Sequence, residues 1–193
     1  LRVPGRFAQT VAQSSFDAWT RYYKTDENTP NSVVSYYVKG ALVALCLDLQ
    51  LRSRSDNRHS LDDVMRQLWH EHALAGRGVT EADIRAVIRL LAGGDGLDDF
   101  LDRALHGTEE LPWQELLAGV GIEPQLRAAE GSIDAGGRPG VLPSGPRPWL
   151  GVRTQAQEGG VLLSFVQHGG PAERAGLSAG DLVVAVDGLR ASP

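Results

Sequence analysis

The sequence contains only one cysteine, Cys46, among its 193 residues. A single cysteine excludes an internal disulfide, and its position inside an apolar stretch predicts a small buried hydrophobic residue. Positive charge is also scarce, because 19 Lys and Arg residues face 24 Asp and Glu residues, for a net charge of −5. This balance provides no basic surface of the kind that nucleic acids or anionic membranes bind, so we predict neither as a partner.

The sequence also lacks H-E-x-x-H, the motif in which two histidines one helical turn apart bind zinc and the glutamate acts as general base. The nearest candidate is His70-Glu71-His72. Histidines two positions apart point to nearly opposite sides of a helix, which predicts exposed surface side chains. We therefore expect no metal ligand in this chain, and no bound catalytic zinc or peptidase activity from the chain alone.

The most informative feature is an apolar stretch over residues 32–52. It is too long for a strand and has no internal proline, which predicts a helix of about five turns. Its charges and the polar loop before it argue against a membrane span, so we expect it to be buried on nearly every face. One stripe of this helix carries a phenol, two small residues and a carboxylate that needs a partner when buried: Tyr37, Ala41, Ala44 and Asp48.

Shorter helices are predicted on both sides of this stretch. Before residue 24 we expect a helix with an apolar side made of Phe7, Val11, Phe16 and Trp19. A polar loop over 24–31 follows, in which Asn31 or Ser32 is available to cap the central helix. Ser60 with Asp63 and Thr80 with Asp83 resemble capping boxes that begin two more helices, and Trp69 is expected on the apolar side of the first. With further helices near 97–105 and 113–118, residues 1–130 form a compact helical unit.

Composition changes after residue 130. Residues 131–147 are rich in Gly, Pro and Ser, which predicts a linker that is semi-rigid around Pro139, Pro143 and Pro146. Residues 148–193 switch to short β runs at 150–153, 161–166 and 182–186, with Asp187-Gly188 as a tight turn. The fold class is therefore mainly α, followed by a small β-rich domain.

The β-rich end resembles a bacterial PDZ domain in the order of its motifs: Trp149-Leu-Gly-Val152, Gly160-Val-Leu-Leu-Ser-Phe-Val166, Gly170-Pro-Ala-Glu-Arg-Ala-Gly-Leu177 and Ala179-Gly-Asp-Leu-Val-Val-Ala-Val-Asp-Gly188. The resemblance implies that Leu150, Gly151 and Val152 offer backbone N–H groups to the carboxylate of a C-terminal peptide, which pairs with the adjacent strand. The opposite wall of the groove is a helix expected after Arg190. We therefore expect a truncated PDZ domain in this chain, with weak peptide binding or none.

A second resemblance spans nearly the whole chain. Tyr37-Val-Lys-Gly40 opens the central helix and matches the Tyr-x-Lys-Gly segment of gluzincin aminopeptidases. The ordered strings around it are similar to the glycyl aminopeptidase family, PDZ-containing zinc metallopeptidases of thermolysin-like fold: Ser14-Ser-Phe-Asp-Ala-Trp19, Tyr22-Tyr-Lys24, Asp26-Glu-Asn28, Pro30-Asn31 and Ser60-Leu-Asp-Asp-Val-Met-Arg-Gln-Leu-Trp69. The resemblance implies zinc in the full-length protein, held by ligands outside these residues.

The same resemblance implies one catalytic residue. Tyr37 would donate a hydrogen bond to the oxyanion that forms when a peptide carbonyl is attacked, whereas Tyr36 points about 100° away on the helix and cannot share the role. Without the resemblance, Tyr37 is a core aromatic residue at a helix start. Asp26 and Glu27 either line the cleft near a substrate amine or belong to a solvated loop, and the loop is favoured.

Together these patterns predict the C-terminal part of a zinc aminopeptidase that removes N-terminal, preferentially small residues from peptides. The alternative is a non-enzymatic helical scaffold with a PDZ module that binds protein C-termini. Because the sequence begins with Leu1 and ends at Pro193 inside the PDZ pattern, we expect a piece of a longer protein. Its compartment, cytoplasmic or periplasmic, is left open.

Overall fold

The computed structural model describes residues 3–127, 136–137 and 148–192. Its first part is helical and its last part is a small β unit, which confirms the predicted fold class. The helical elements are a 3-10 turn (Pro4–Phe7), α1 (Val11–Phe16), a π turn (Ala18–Tyr22), α2 (Thr29–Ser32), α3 (Tyr36–Arg54), α4 (Leu61–Leu68), a second π turn (Trp69–Ala73), α5 (Glu81–Ala92), α6 (Asp98–His106) and α7 (Trp113–Gly119).

The predicted central helix is α3, but it begins later than expected. Its cap is Ser35, whose Oγ accepts a hydrogen bond from the Val38 amide at 3.2 Å. Asn31 and Ser32 were the predicted caps, and this prediction is wrong because both residues belong to the short α2.

The later start has a local cause in the two valines between α2 and α3. Val33 is extended, with φ −120° and ψ 135°. The amide of Val34 donates to Oε1 of Gln9 at 3.2 Å, and its carbonyl accepts a hydrogen bond from the Ser14 hydroxyl. The amide and the carbonyl of Val34 are both hydrogen-bonded to buried side chains of the N-terminal segment. The backbone hydrogen bonds of the helix therefore start only after Val34.

The hydrophobic core forms around α3, which packs against α1, α4, α5 and α7. Leu51 and Cys46 are fully buried, and burial raises the pKa of the Cys46 thiol, as a buried hydrophobic cysteine requires. The other fully or nearly buried core residues come from five helices and one loop: Val11, Val43, Leu47, Val64, Leu68, Val87, Ile88, Leu97, Phe100, Leu101 and Ala104.

The helical stretch Thr29–Arg54 is long and apolar enough to cross a membrane by length and composition. In the structure, 39% of an apolar 18-residue segment of this stretch is buried. Buried core helices of soluble proteins meet the same criteria. The absence of a membrane partner therefore stays a prediction.

One face of α3 is not buried, contrary to the prediction. Tyr37 and Val38 are 59% and 56% exposed, Ala41 is exposed, and Leu45 is 38% exposed. The predicted stripe therefore lies at the edge of the core rather than inside it.

Asp48, the carboxylate of this stripe, is half-buried and does have the partners that burial requires. Its two oxygens accept hydrogen bonds from Arg52 Nε and from the Leu61 amide, both at 2.8 Å. Burial raises the pKa of Asp48, but these two hydrogen bonds outweigh it and hold the pKa below its ordinary value. Asp48 thereby ties α3 to the first residue of α4.

Both predicted capping boxes are present. The amide of Ser60 donates to the Asp63 carboxylate at 2.8 Å, and the amide of Thr80 donates to the Asp83 carboxylate at 2.9 Å. Gly93 ends α5 in the left-handed conformation, with φ 76°.

Two predicted apolar faces are wrong in part, because Val11 is buried whereas three of their aromatic residues are exposed. Phe16, Trp19 and Trp69 are 91%, 79% and 58% exposed. The bonds from the Tyr23 amide to the Ala18 carbonyl, 2.9 Å, and from the Leu74 amide to the Trp69 carbonyl, 3.0 Å, close π turns. The helix is interrupted at Asp17, whose ψ is 8°, so Trp19 leaves the helical phase on which the prediction was based. Trp69 precedes the extra residue of the second π turn, which therefore does not account for its exposure.

The C-terminal unit contains β1 (Val152–Gln157), β2 (Gly160–Val166), α8 (Pro171–Arg174), β3 (Leu182–Val183), β4 (Ala185–Val186) and β5 (Leu189–Arg190). Within the described residues, β1, β2 and β3 form an antiparallel sheet in that order, so β1 is an edge strand. Asp187 and Gly188, with φ 49° and 78°, connect β4 and β5 in the tight turn predicted. The predicted linker lies outside the described residues except for 136–137, so the domain boundaries stay a prediction.

Asn31 connects the helical part to the β unit. Its Nδ2 donates to the Val166 carbonyl at 2.8 Å, and its Oδ1 accepts from the His168 amide at 2.9 Å. One side-chain amide thus pairs with the end of β2 as a neighbouring strand would. The segment before α3 and the end of β2 are therefore held in contact.

Candidate active site at the start of α3

All four tyrosines of the sequence lie together where the first π turn meets α3. We call Tyr22, Tyr23, Tyr36 and Tyr37 the tyrosine cluster. Tyr22 ends the π turn and Tyr23 follows it, and Tyr36 and Tyr37 are the first two residues of α3. The polar segment between them, which contains α2, brings the two pairs side by side.

The hydroxyls of the cluster are joined by hydrogen bonds. Tyr23 Oη lies 3.0 Å from Tyr36 Oη and 3.0 Å from Tyr37 Oη. Tyr22 Oη instead lies 3.1 Å from Ser35 Oγ, the cap of α3. The cluster therefore contains one group of three linked hydroxyls and one separate hydroxyl.

The prediction that Tyr36 and Tyr37 point apart is wrong. Their rings are 4.3 Å apart between centroids and inclined by 31°, and both hydroxyls meet Tyr23. The helical angle fixes only the directions of the two Cβ atoms. At the first turn of α3 no preceding helical turn restricts the side chains, so ring contact and the shared hydroxyl bring them together.

The hydrogen bonds shift the phenols in opposite directions. The hydrogen bond with Tyr23 lowers the pKa of Tyr37, because it stabilises the ionised form of that phenol. The hydrogen bond with Tyr23 raises the pKa of Tyr36 well above its ordinary value. Tyr37 is thus both the more exposed and the more acidic of the two.

Lys39, the lysine of the Tyr-x-Lys-Gly segment, is a site feature that the sequence reasoning missed. It is 7% exposed, its Nζ donates to the Arg6 carbonyl at 3.2 Å, and burial lowers its pKa. It lines a mainly apolar groove of about 400 Å³ beside the ion pair of Arg6 and Glu110. Lys39 fastens the first turn of α3 to the N-terminal 3-10 turn and so helps to fix the position of Tyr37.

Asp26 and Glu27 are exposed, as the solvated-loop interpretation predicts. Asp26 Oδ1 accepts hydrogen bonds from the Asn28 amide at 3.0 Å and the Thr29 hydroxyl at 2.8 Å. The bond from Thr29 is the largest cause of its lowered pKa. Asp26 therefore shapes the loop before α2.

The residues that the structure describes do not fit a zinc ion. Among the described residues, no three or more His, Cys, Asp or Glu side chains come together as a metal site. His70 is exposed, as predicted, and His72 is half-buried with its Nδ1 3.1 Å from the Gly78 carbonyl oxygen.

The predicted carboxylate-binding loop leads into β1. The carbonyls of Leu150 and Gly151 accept hydrogen bonds from the Ala172 and Gln167 amides, at 3.0 and 2.7 Å. Because the Gln167 amide bonds to Gly151, Val152 stands at a non-hydrogen-bonded position opposite Val166, and its own N–H faces the outer edge of β1.

Glycine is required at position 151. Its φ is +78°, and a Cβ there would lie 3.2 Å from the Trp149 ring. The loop conformation therefore depends on the absence of a side chain.

Comparisons with known proteins agree at both ends of the chain. Residues 1–43 match the family model described as M61 glycyl aminopeptidase, and residues 164–191 match a PDZ domain model. No curated protein matched the chain. The chain is similar to the crystal structure of an aminopeptidase N family protein from Idiomarina loihiensis, with 39% sequence identity and a TM-score of 0.82. The similarity covers 99% of this chain and 32% of that one, so this chain spans about a third of that protein's length.

Proposed function

We propose that the chain is one part of an M61 glycyl aminopeptidase, an enzyme that removes N-terminal residues from peptides, because residues 1–43 match that family model and the chain is similar to an aminopeptidase N family protein. Small N-terminal side chains are the proposed preference. The observation that carries the proposal is the family match over residues 1–43, which contains the whole tyrosine cluster. The scaffold alternative assigns no role to that cluster.

Tyr37 is the proposed catalytic residue. When a peptide carbonyl is attacked, negative charge develops on its oxygen, and a fixed hydroxyl donor lowers the energy of that state. Two observations support this role: Tyr37 is 59% exposed, and its hydroxyl is hydrogen-bonded to the hydroxyl of Tyr23. An oxygen in this position can accept one hydrogen bond from Tyr23 and donate another to a substrate.

Zinc is the cofactor that we propose for the whole protein, on the basis of the family alone. The described residues of this chain offer no set of ligands for it, so we assign none here. His70 and His72 have no proposed role in catalysis.

The direct experiment uses the full-length protein and the p-nitroanilides of glycine, alanine and phenylalanine. Each substrate is prepared once with a free α-amine and once with an acetylated α-amine. We expect release of nitroaniline from the free glycyl and alanyl substrates, slower release from the phenylalanyl one and none after acetylation. No hydrolysis of any substrate, together with binding of C-terminal peptides, would favour the scaffold instead.

A second activity that we propose for the full-length protein is the binding of a C-terminal peptide at Leu150, Gly151 and Val152. It is supported by the PDZ match, by the outward N–H of Val152 and by the position of β1 at the edge of the described sheet. The peptide would add a strand to β1 and place its carboxylate at the loop.

Gly151→Val is expected to weaken this binding in the full-length protein by about tenfold or more, because valine is strained at the positive φ of this position. Fluorescence anisotropy with labelled peptides bearing a free or an amidated C-terminus measures it. Gly159→Val is the matched control, since Gly159 has φ +89° at the other end of β1. Equal losses from both variants would trace the effect to general strain and contradict the assignment of the loop.

A further inference from the structure

The three linked hydroxyls of the tyrosine cluster contain three protons, and this number restricts how they can be arranged. Each phenol has one O–H donor and can also accept. Tyr23 lies between Tyr36 and Tyr37, 3.0 Å from each hydroxyl. If it donates to one neighbour, its bond with the other requires that neighbour to donate to it.

Three bonded arrangements follow. In the first, Tyr37 donates to Tyr23 and Tyr23 donates to Tyr36, and in the second, Tyr36 and Tyr37 both donate to Tyr23. In both of these the Tyr37 proton is used inside the cluster. In the third, Tyr36 donates to Tyr23 and Tyr23 donates to Tyr37, so the Tyr37 proton is left for an acceptor outside. Tyr37 can donate to a substrate oxyanion only in the third arrangement.

We propose that Tyr36 and Tyr23 are positioning residues that form a hydroxyl relay, Tyr36 to Tyr23 to Tyr37, and direct the Tyr37 proton to the substrate oxyanion. This inference rests on the proposed function, because it assumes that Tyr37 is the donor. No proton is transferred along the relay: each stays on its own oxygen, and only the directions of the three O–H bonds are set.

The relay also strengthens the final donor. An anion is a better acceptor than a neutral phenol, so an oxyanion near Tyr37 favours the arrangement in which all three donors point toward it. Each hydrogen bond in such a series polarises the next. The lowered pKa of Tyr37 and the raised pKa of Tyr36 agree with Tyr37 as acceptor and Tyr36 as donor within the cluster.

The exposure of the rings favours the same direction. Tyr36 is half-buried against the core, whereas Tyr37 is 59% exposed. The remaining phenol, Tyr22, contacts the rings of Tyr36 and Tyr37 with centroids 5.1 and 6.1 Å away, but its hydroxyl bonds to Ser35. Tyr22 thus shares the packing of the cluster without belonging to the relay, which makes it the matched control.

Kinetics of the full-length protein test the relay through a double-mutant cycle. Tyr23→Phe keeps the ring and removes the central hydroxyl, and we expect kcat to fall by roughly 2–10-fold with KM nearly unchanged. In a Tyr37→Phe background the same substitution should have no further effect on kcat, because Tyr23 acts only through Tyr37. An equal loss in both backgrounds would overturn the proposal. Tyr36→Phe should show the same pattern with a smaller loss, and Tyr22→Phe should leave kcat unchanged.

A second readout needs no activity and so separates the relay from the proposed function. In the 193-residue chain labelled with ¹³C at tyrosine Cζ, NMR titration reports the ionisation of each phenol. Tyr23→Phe should raise the pKa of Tyr37, whereas Tyr22→Phe should not change it. An unchanged or lower Tyr37 pKa in Tyr23→Phe would overturn the relay. A raised pKa together with an inactive full-length protein would retain the relay and reject its catalytic use.

Discussion

Tyr37→Phe in the full-length protein is expected to lower kcat by about 10²–10³, the usual loss when one oxyanion donor is removed. KM should change much less, because the ground-state carbonyl is held less tightly than the oxyanion. The fold should be unaffected, since the ring stays in place and the residue is already 59% exposed. Steady-state kinetics on a glycyl p-nitroanilide measure both constants.

The control for this prediction is Tyr22→Phe, which removes a hydroxyl of the same cluster that bonds to Ser35 rather than to Tyr37. Its kcat should stay close to that of the unmodified protein. If the two substitutions have equally small effects, Tyr37 is a packing residue and the catalytic assignment fails.

Leu51→Ala is expected to destabilise the chain by about 2–5 kcal/mol, through lost burial and the cavity that remains. Leu51 is fully buried in α3, the helix around which the core forms. Urea unfolding of the 193-residue chain, followed by far-UV circular dichroism, should show a lower midpoint with an unchanged dependence on urea concentration.

The matched control is Leu90→Ala in α5, where the side chain is 66% exposed. Its free energy of unfolding should change by no more than about 0.5 kcal/mol. Similar losses at Leu51 and Leu90 would mean that α3 is not the centre of the core.

The elements that the sequence predicted well are those set by local signals. α3 was visible from its apolar length, two helix starts from Ser60-x-x-Asp63 and Thr80-x-x-Asp83, and the β4–β5 turn from Asp187-Gly188. Each of these depends on residues that are close in sequence.

The elements that it predicted poorly depend on distant contacts or on departures from regular geometry. The start of α3 was placed too early because Gln9 and Ser14 hold Val34 through contacts that no local pattern reveals. The exposed side chain of Trp19 is assigned to an apolar face because the break at Asp17 and the π turn after it leave no clear sequence signal.

The candidate site was predicted only in part. The Tyr-x-Lys-Gly segment indicates Tyr37. The angle of about 100° between successive helical residues predicts that the side chains of Tyr36 and Tyr37 point apart, and it identifies no hydrogen-bond partner for either hydroxyl. The repeated Tyr-Tyr pairs at 22–23 and 36–37 were the available signal, and only the fold shows that Tyr23 joins them.

The most direct test of Tyr37 as oxyanion donor is the binding of a phosphinate peptide to the full-length protein, because its anionic tetrahedral group imitates the state that the donor is proposed to stabilise. If Tyr37 donates to the oxyanion, Tyr37→Phe should weaken inhibition by about the same 10²–10³ factor by which it lowers kcat/KM. An inhibition constant that is unchanged in Tyr37→Phe would contradict the account.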